Sequence, residues 1–402
     1  MENTQEIPLL SILPFVLMLG AIAVLPLTWN HFWEKNKNKL LISIILSIPV
    51  LIFLLINGYT HEIIHTMLFD YVPFIILLGA LFTITGGILL TGDIQAKPAI
   101  NTLFLGIGAV LASFMGTTGA AMLLIRPVIQ TNKERTFKVH TILFFIAIVA
   151  NCGGLLTPLG DPPLFMMYLR GAPFEWFFKL GIEWFFTNAI LLILYFLVDS
   201  YYYKKEPTAA IKRDESVIRP IKIQGKRNFI FLAGVVLSVA FLNEQYLSFV
   251  SINPYYKFVR EEVAYLFFGI FVTMVPALLY LETNAKHLGV QTISQFYYYT
   301  GLLSSFLDNT PTAVTFHSLA MGLGITTGKL VAGIPEELLK AISTSAVFFG
   351  AMTYIGNGPN FMVKAVAEEN NIKMPDFFSY MIKFSIIVLL PIFILIQLLF
   401  IH

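Results

Sequence analysis

Apolar residues run in long blocks along this chain. Eleven blocks can be drawn, at residues 8–28, 40–57, 71–90, 100–130, 139–169, 183–203, 229–247, 263–281, 292–325, 340–366 and 379–401. Most hold about 20 residues, enough for a helix to cross a hydrocarbon layer of roughly 30 Å. Four are longer, at 100–130, 139–169, 292–325 and 340–366, and they are interrupted by Gly, Pro and polar residues. Irregular backbone at membrane depth survives only inside protein or beside a wet cavity. The pattern predicts an all-α polytopic membrane protein and points to the four interrupted segments as the seat of function.

These four segments pair up. Ser113-Phe-Met-Gly-Thr-Thr-Gly-Ala-Ala121 aligns with Ser305-Phe-Leu-Asp-Asn-Thr-Pro-Thr-Ala313 at an offset of 192. Thr157-Pro-Leu-Gly-Asp-Pro-Pro-Leu-Phe-Met166 aligns with Thr353-Tyr-Ile-Gly-Asn-Gly-Pro-Asn-Phe-Met362 at an offset of 196. Paired, Gly/Pro-interrupted apolar segments in two halves are the best sequence pointer to a transporter binding site. The first pair reads as re-entrant hairpins, two apolar arms around a polar tip. The second reads as helices unwound at their centres, because Pro removes a helix donor and clashes with the preceding turn. The expected organisation is an N-terminal membrane repeat over 1–203, a loop over 204–227, and a C-terminal membrane repeat over 228–402.

Charge sharpens this picture. Only 12% of the 402 residues are charged and 57% are hydrophobic, against about 25% charged in soluble proteins. That excludes soluble enzymes, disordered chains and nucleic-acid binders. The single cysteine, Cys152, excludes an intramolecular disulfide and a Cys-based zinc site. Residues 1–7 carry Glu2 and Glu6 but no Lys or Arg, so the first block is expected to be a retained span and not a signal peptide. The stretch 204–227 holds eight basic and three acidic residues and reads as a solvated cytoplasmic loop. Lys35, Lys37, Lys39, Lys133, Arg135 and Lys138 share the bias, whereas 58–70 has no Lys or Arg. The positive-inside rule then places the N-terminus outside and 204–227 inside; the expected location is a bacterial inner membrane.

Two acids stand apart. Asp161 is the only Asp, Glu, Lys or Arg between Lys138 and Arg170, and Asp308 the only one between Lys286 and Lys329. An ionisable residue in a span costs about 2.5–3.5 kcal/mol on insertion scales and marks a functional site by default. The bland alternative is that each caps a half-helix, a role Asp favours. Thr117, Thr118, Thr157, Thr310, Thr312, Thr353, Asn309, Asn357 and Asn360 surround them in the sequence. Hydroxyl, amide and carbonyl oxygens with one or two carboxylates suit a hard cation. Arg126 pairs with an anion or snorkels to the interface. His317 reads as a helix-packing histidine.

His61-Glu-Ile-Ile-His65 fits H-E-x-x-H, the zincin pattern, so an intramembrane zinc protease is a remote alternative. The motif falls between two spans, where an interfacial loop helix explains it.

At these residues the sequence resembles the ion transporter superfamily, in the branch labelled citrate transporter or NhaD-like sodium–proton antiporter. The strings that carry the resemblance are Gly116-Thr-Thr-Gly-Ala120, Leu123-Leu-Ile-Arg-Pro127, Leu156-Thr-Pro-Leu-Gly-Asp-Pro-Pro-Leu-Phe165, Phe268-Gly-Ile-Phe271 and Leu303-Ser-Ser-Phe-Leu-Asp-Asn-Thr-Pro-Thr312. The resemblance implies two inverted repeats, a transport domain beside a dimerising scaffold, and ion-coupled secondary transport without a bound cofactor. By motif, Asp308, Asn309 and the break carrying Asp161 would hold the cation. Gly116 stands where NhaD itself is expected to carry an acid. The expected activity is Na⁺/H⁺ exchange, with Asp308 as exchanging carboxylate and Asp161 as its partner. Cation- or proton-coupled uptake of citrate or another organic anion is the alternative. Inverted hairpins need an odd number of crossings between 204–227 and the second hairpin, and only two are read. A short crossing near 246–260, a half-membrane helix, or repeats that are not inverted would each resolve this.

Overall fold

The computed structural model describes residues 7–33, 35–216, 218–241 and 261–402. Among them, eight helical stretches are long and apolar enough to span a membrane: Leu9–Pro26, Asn36–Ile56, Thr60–Gly86, Pro98–Met115, Val139–Leu156, Phe174–Tyr203, Phe268–His287 and Phe377–Phe400. The chain is an all-α polytopic membrane protein with two short two-stranded ribbons. Helices satisfy their own backbone groups, so only they and closed barrels can cross lipid.

The main elements, in chain order, are α1 (Leu13–Thr28), α2 (Asn36–Ile56), α3 (Val72–Gly86), β1 (Leu89–Asp93), α4 (Pro98–Met115), α5 (Thr117–Thr131), α6 (Val139–Ile148), α7 (Pro162–Leu169) and α8 (Gly181–Tyr203). There follow β2 (Arg219–Gln224), α9 (Asn228–Phe241), α10 (Glu261–Asn284), α11 (Ile293–Ser304), α12 (Asn309–Gly322), α13 (Glu336–Phe349), α14 (Gly358–Glu369) and α15 (Leu390–Phe400). The four interrupted blocks become α4–α5, α6–α7, α11–α12 and α13–α14. The last begins at Glu336, four residues before the expected start.

Helix α8 serves as a ruler. It has 23 residues, so its ends lie about 34 Å apart at 1.5 Å per residue. Hairpin α4–α5 opens at its C-terminal end, where Asn101 and Asn132 exchange amide hydrogen bonds and Asn101 donates to Asp199. Helix α13 starts near the other end, where Lys179 and Trp176 both bond Glu336. Helix α6 begins at the C-terminal end of α8, where His140 bonds Asp199, so segments α6–α7 and α13–α14 enter from opposite ends of α8.

Two expectations hold with a difference. The basic stretch 204–227 is largely solvent-exposed, with Glu206 and Asp214 buried, but it is docked and not free. Its β2 pairs antiparallel with β1, Leu89 opposite Gln224 and Leu90 opposite Ile223. Glu206 accepts from the backbone N–H groups of Thr136 and Phe137 at 2.9 and 2.8 Å. Asp214 accepts from Ala96 N–H at 2.9 Å. Burial raises the Asp214 carboxyl above its usual range. Asp214 and Glu206 thus serve backbone donors at the entry to and the exit from the first hairpin, a use that charge counting does not reveal. Second, His61 and His65 lie on a helix, as expected, but it is the start of a span and not a separate helix between two spans. Thr60–His65 is helical and continues through a π-turn, Thr66–Tyr71, into α3.

Helix α9 starts at Asn228 beside Gly87 and reaches Val239, whose carbonyl accepts from Tyr168. Helix α10 runs alongside α2, with Gly269 on Ser43 and Val272 and Val275 beside Val50 and Leu54. The expected crossing near 246–260 lies outside the described residues.

Candidate functional site

Both breaks are built alike. Thr157 and Thr353 have extended backbones, with φ/ψ of −140°/161° and −139°/167°. The Thr157 hydroxyl donates to the carbonyl of Ser113, and that of Thr353 to the carbonyl of Ser305. Each hydroxyl oxygen also accepts the N–H two residues on, from Leu159 and Ile355, at 3.2 Å. Asp161 and Asn357 then take nearly identical extended conformations, φ/ψ −141°/142° and −141°/141°, as N-caps of α7 and α14. Pro162-Pro163 and Gly358-Pro359 follow them, where a missing N–H costs nothing at a helix start. Gly160 packs on the Gly154 carbonyl and Gly356 on that of Gly350, approaches that a Cβ would block.

The two hairpin tips differ. Gly116 turns the first with φ 83°, a conformation that favours glycine. Asp308 turns the second with φ −55° and ψ 139°. Each tip opens a helix, α5 at Thr117 and α12 at Asn309.

Tips and breaks meet at Asp161. Its Oδ1 accepts from the Thr117 hydroxyl at 2.7 Å and from Asn357 Nδ2 at 3.2 Å. Its Oδ2 accepts from Asn309 Nδ2 at 2.9 Å. Thr117 and Asn309 are counterparts at the 192 offset, and Asp161 and Asn357 at the 196 offset. One carboxylate thus gathers all four interrupted segments. It is 1% exposed, and all three of its side-chain donors are neutral. Burying a charge without a counter-charge is expensive, so this carboxylate favours neutralisation by a proton or a bound cation.

A second layer holds the donors. Asn309 Oδ1 accepts from Ser304 at 2.6 Å. Asn357 Nδ2 also reaches Asn151 Oδ1 at 3.1 Å and the Ala150 carbonyl at 3.2 Å. Asn151 donates to Asn360 Oδ1 at 2.7 Å, and Asn360 donates to the carbonyls of Gly350 and Thr353. Sequence reasoning missed Asn151 and Ser304. A signal for Asn151 existed, since it is the only amide side chain in Val139–Leu156.

The other expected residues fall further out. Asp308 is partly exposed, and its side chain accepts the Thr310 N–H at 3.0 Å as cap of α12. No hydrogen bond joins it to the Asp161 cluster among the described residues. Thr310 is buried in the first turn of α12, and Thr312 donates to the Asp308 carbonyl. Thr118 lines a pocket between the first tip and α3, bounded by Phe74, Leu77, Leu81 and Phe82 and lined also by Thr117 and Asp161. His317 Nδ1 accepts from Arg170, and its Nε2–H donates to the Ala332 carbonyl. His61 and His65 are exposed with ring centroids 6.2 Å apart. Among the described residues, no three His, Cys, Asp or Glu gather as a metal site.

A family model described as "putative citrate transport" matches residues 4–260 and 249–401. The chain belongs to this family. No curated protein is similar enough to match it. Family membership and the apolar spans together make the chain an integral membrane transporter. They also give the Asp161 cluster a context, because the four interrupted segments are the ones that converge there.

Proposed function

We propose that the chain is a secondary active transporter in which Asp161 binds a cation when ionised and a proton when neutral, exchanging Na⁺ for H⁺. The observation that carries this reading is the set of donors around Asp161, namely Thr117, Asn309 and Asn357. All are neutral, and each can offer an oxygen to a hard cation after a side-chain rotation. With no Lys or Arg bonded to it, the buried carboxylate is neutralised by one of two mobile charges, and competition between them is exchange.

The opposed entries of the paired segments support two inverted repeats that expose this point alternately to either side. Asp308, on the neighbouring N-cap, is the second carboxylate on the path. A scaffold that dimerises, an N-terminus outside and residence in a bacterial inner membrane complete the proposal.

A second reading is cation- or proton-coupled citrate or other organic anion uptake. It is favoured by the family description and by the caps Gly116, Asp161, Asp308 and Asn357, which begin four helices around the cluster. Helix N-termini attract anions. Purified protein in proteoliposomes separates the readings. Exchange predicts Na⁺-driven proton movement that Asp161→Asn abolishes while the melting temperature stays near wild type. Labelled citrate uptake without Na⁺/H⁺ exchange would replace the first reading with the second.

A further inference from the structure

A large cleft lies away from Asp161. It has a volume of about 770 Å³ and sits between α5, the end of α14 and the β1–β2 ribbon. That volume is within the roughly 300–1,000 Å³ of small-molecule sites.

Three cations line it, Arg126 on α5 and Arg219 and Lys222 on β2. None has a side-chain hydrogen bond or ion pair among the described residues, and all three are exposed. Two acids are present. Asp93 is buried and already accepts from Gln130 Nε2 at 2.9 Å, and Glu369 stands at the end of α14. The unpaired guanidinium and ammonium groups therefore outnumber the free carboxylates.

Leu90, Ile129, Pro220 and Val366 add aliphatic surface to the wall, beside the polar Thr91, Gln130 and Asn370. A cleft that combines unpaired cations with aliphatic surface fits an amphiphilic anion better than a small inorganic one. Its position agrees. Arg126 precedes the end of α5 at Thr131 by five residues, about 8 Å along the axis, at the end of the molecule where the basic stretch docks. Basic pockets between membrane helices at that level hold anionic lipid headgroups.

We infer that this cleft binds the phosphate headgroup of an anionic phospholipid, with Arg126, Arg219 and Lys222 as its ligands. The occupant bridges the ribbon to α5 and α14, whose opposite ends carry Thr117 and Asn357. It ties the two site-bearing helices to the membrane surface without touching Asp161.

Thermal unfolding of the purified full chain in micelles tests this, with phosphatidylglycerol, phosphatidylcholine or sodium phosphate added. Phosphatidylglycerol should raise the melting temperature of the wild type by several degrees, since a ligand that binds only the folded state stabilises it. The triple variant Arg126→Gln/Arg219→Gln/Lys222→Gln should lose that rise. A control of equal charge change on the same stretch, Lys212→Gln/Arg213→Gln/Lys226→Gln, should keep it. Unfolding in phosphatidylcholine alone reports whether the triple variant is folded, and the single Arg126→Gln, on an exposed helix position, should still weaken the rise if it is not. The proposal is overturned if the variants keep the full rise, or if the control loses it equally. An equal rise with sodium phosphate would also overturn it, replacing the lipid with a free anion.

Discussion

At Asp161 a single carboxylate meets one hydroxyl and two amides, while at Asp308 a carboxylate meets the N–H of its own helix. Both were isolated acids in the sequence, and only their partners tell them apart. Asn caps a helix about as well as Asp, so Asp308→Asn should keep the unfolding free energy within about 0.5 kcal/mol of wild type. It should also retain measurable exchange in proteoliposomes, where Asp161→Asn retains none. Loss of exchange in both would make Asp308 a second obligatory carboxylate. Asp214 offers a pH test. Its carboxyl is raised by burial, so its folded form holds a proton more tightly than the unfolded chain. The resulting stability is full below the unfolded value and is lost as pH rises through the folded one. Asp214→Asn keeps an acceptor for Ala96 N–H without the charge. It should therefore be slightly more stable than wild type at neutral pH, by up to about 0.5 kcal/mol after screening. The difference should close toward about pH 4, near the unfolded carboxyl value.

The interrupted helices were legible as elements because Pro and Gly act locally. Their ends moved by a few residues, since the mouths of the segments are amphipathic and hydropathy alone does not mark them. What the sequence could not show is that each break is tied to its hairpin by one threonine. Thr157 and Thr353 satisfy a hairpin carbonyl and accept from the N–H of the break itself. Thr157→Ala and Thr353→Ala should each destabilise by about 1–3 kcal/mol, because a buried carbonyl and N–H lose their partner. Serine at either position keeps the hydroxyl and should recover most of the loss in thermal unfolding. A large loss at one position and none at the other would show that the two breaks are not equivalent.

Across the molecule, Arg170 at the end of α7 joins distant segments. It donates to His317 and Ser318 on α12 and lies 3.7 Å from Asp70, which precedes α3. Asp70 is 6% exposed. Arg170→Gln leaves that carboxylate buried without its cation and should cost about 3–5 kcal/mol. The double variant Arg170→Gln/Asp70→Asn should regain a good part of this in a double-mutant cycle. Additive losses would show that the pair is not coupled.

The sequence alone determined the membrane class, the four interrupted segments and their pairing, because span length, Pro and Gly act within a few residues of chain. Tertiary structure decided which acid sits at the convergence, how the basic stretch docks, and that Asn151 braces Asn357. Those outcomes depend on contacts such as Thr117 to Asp161 and Asn309 to Asp161, made 44 and 148 residues apart. No local pattern encodes a separation of that size. It emerges only when four helix breaks, each predictable by itself, are brought to one point.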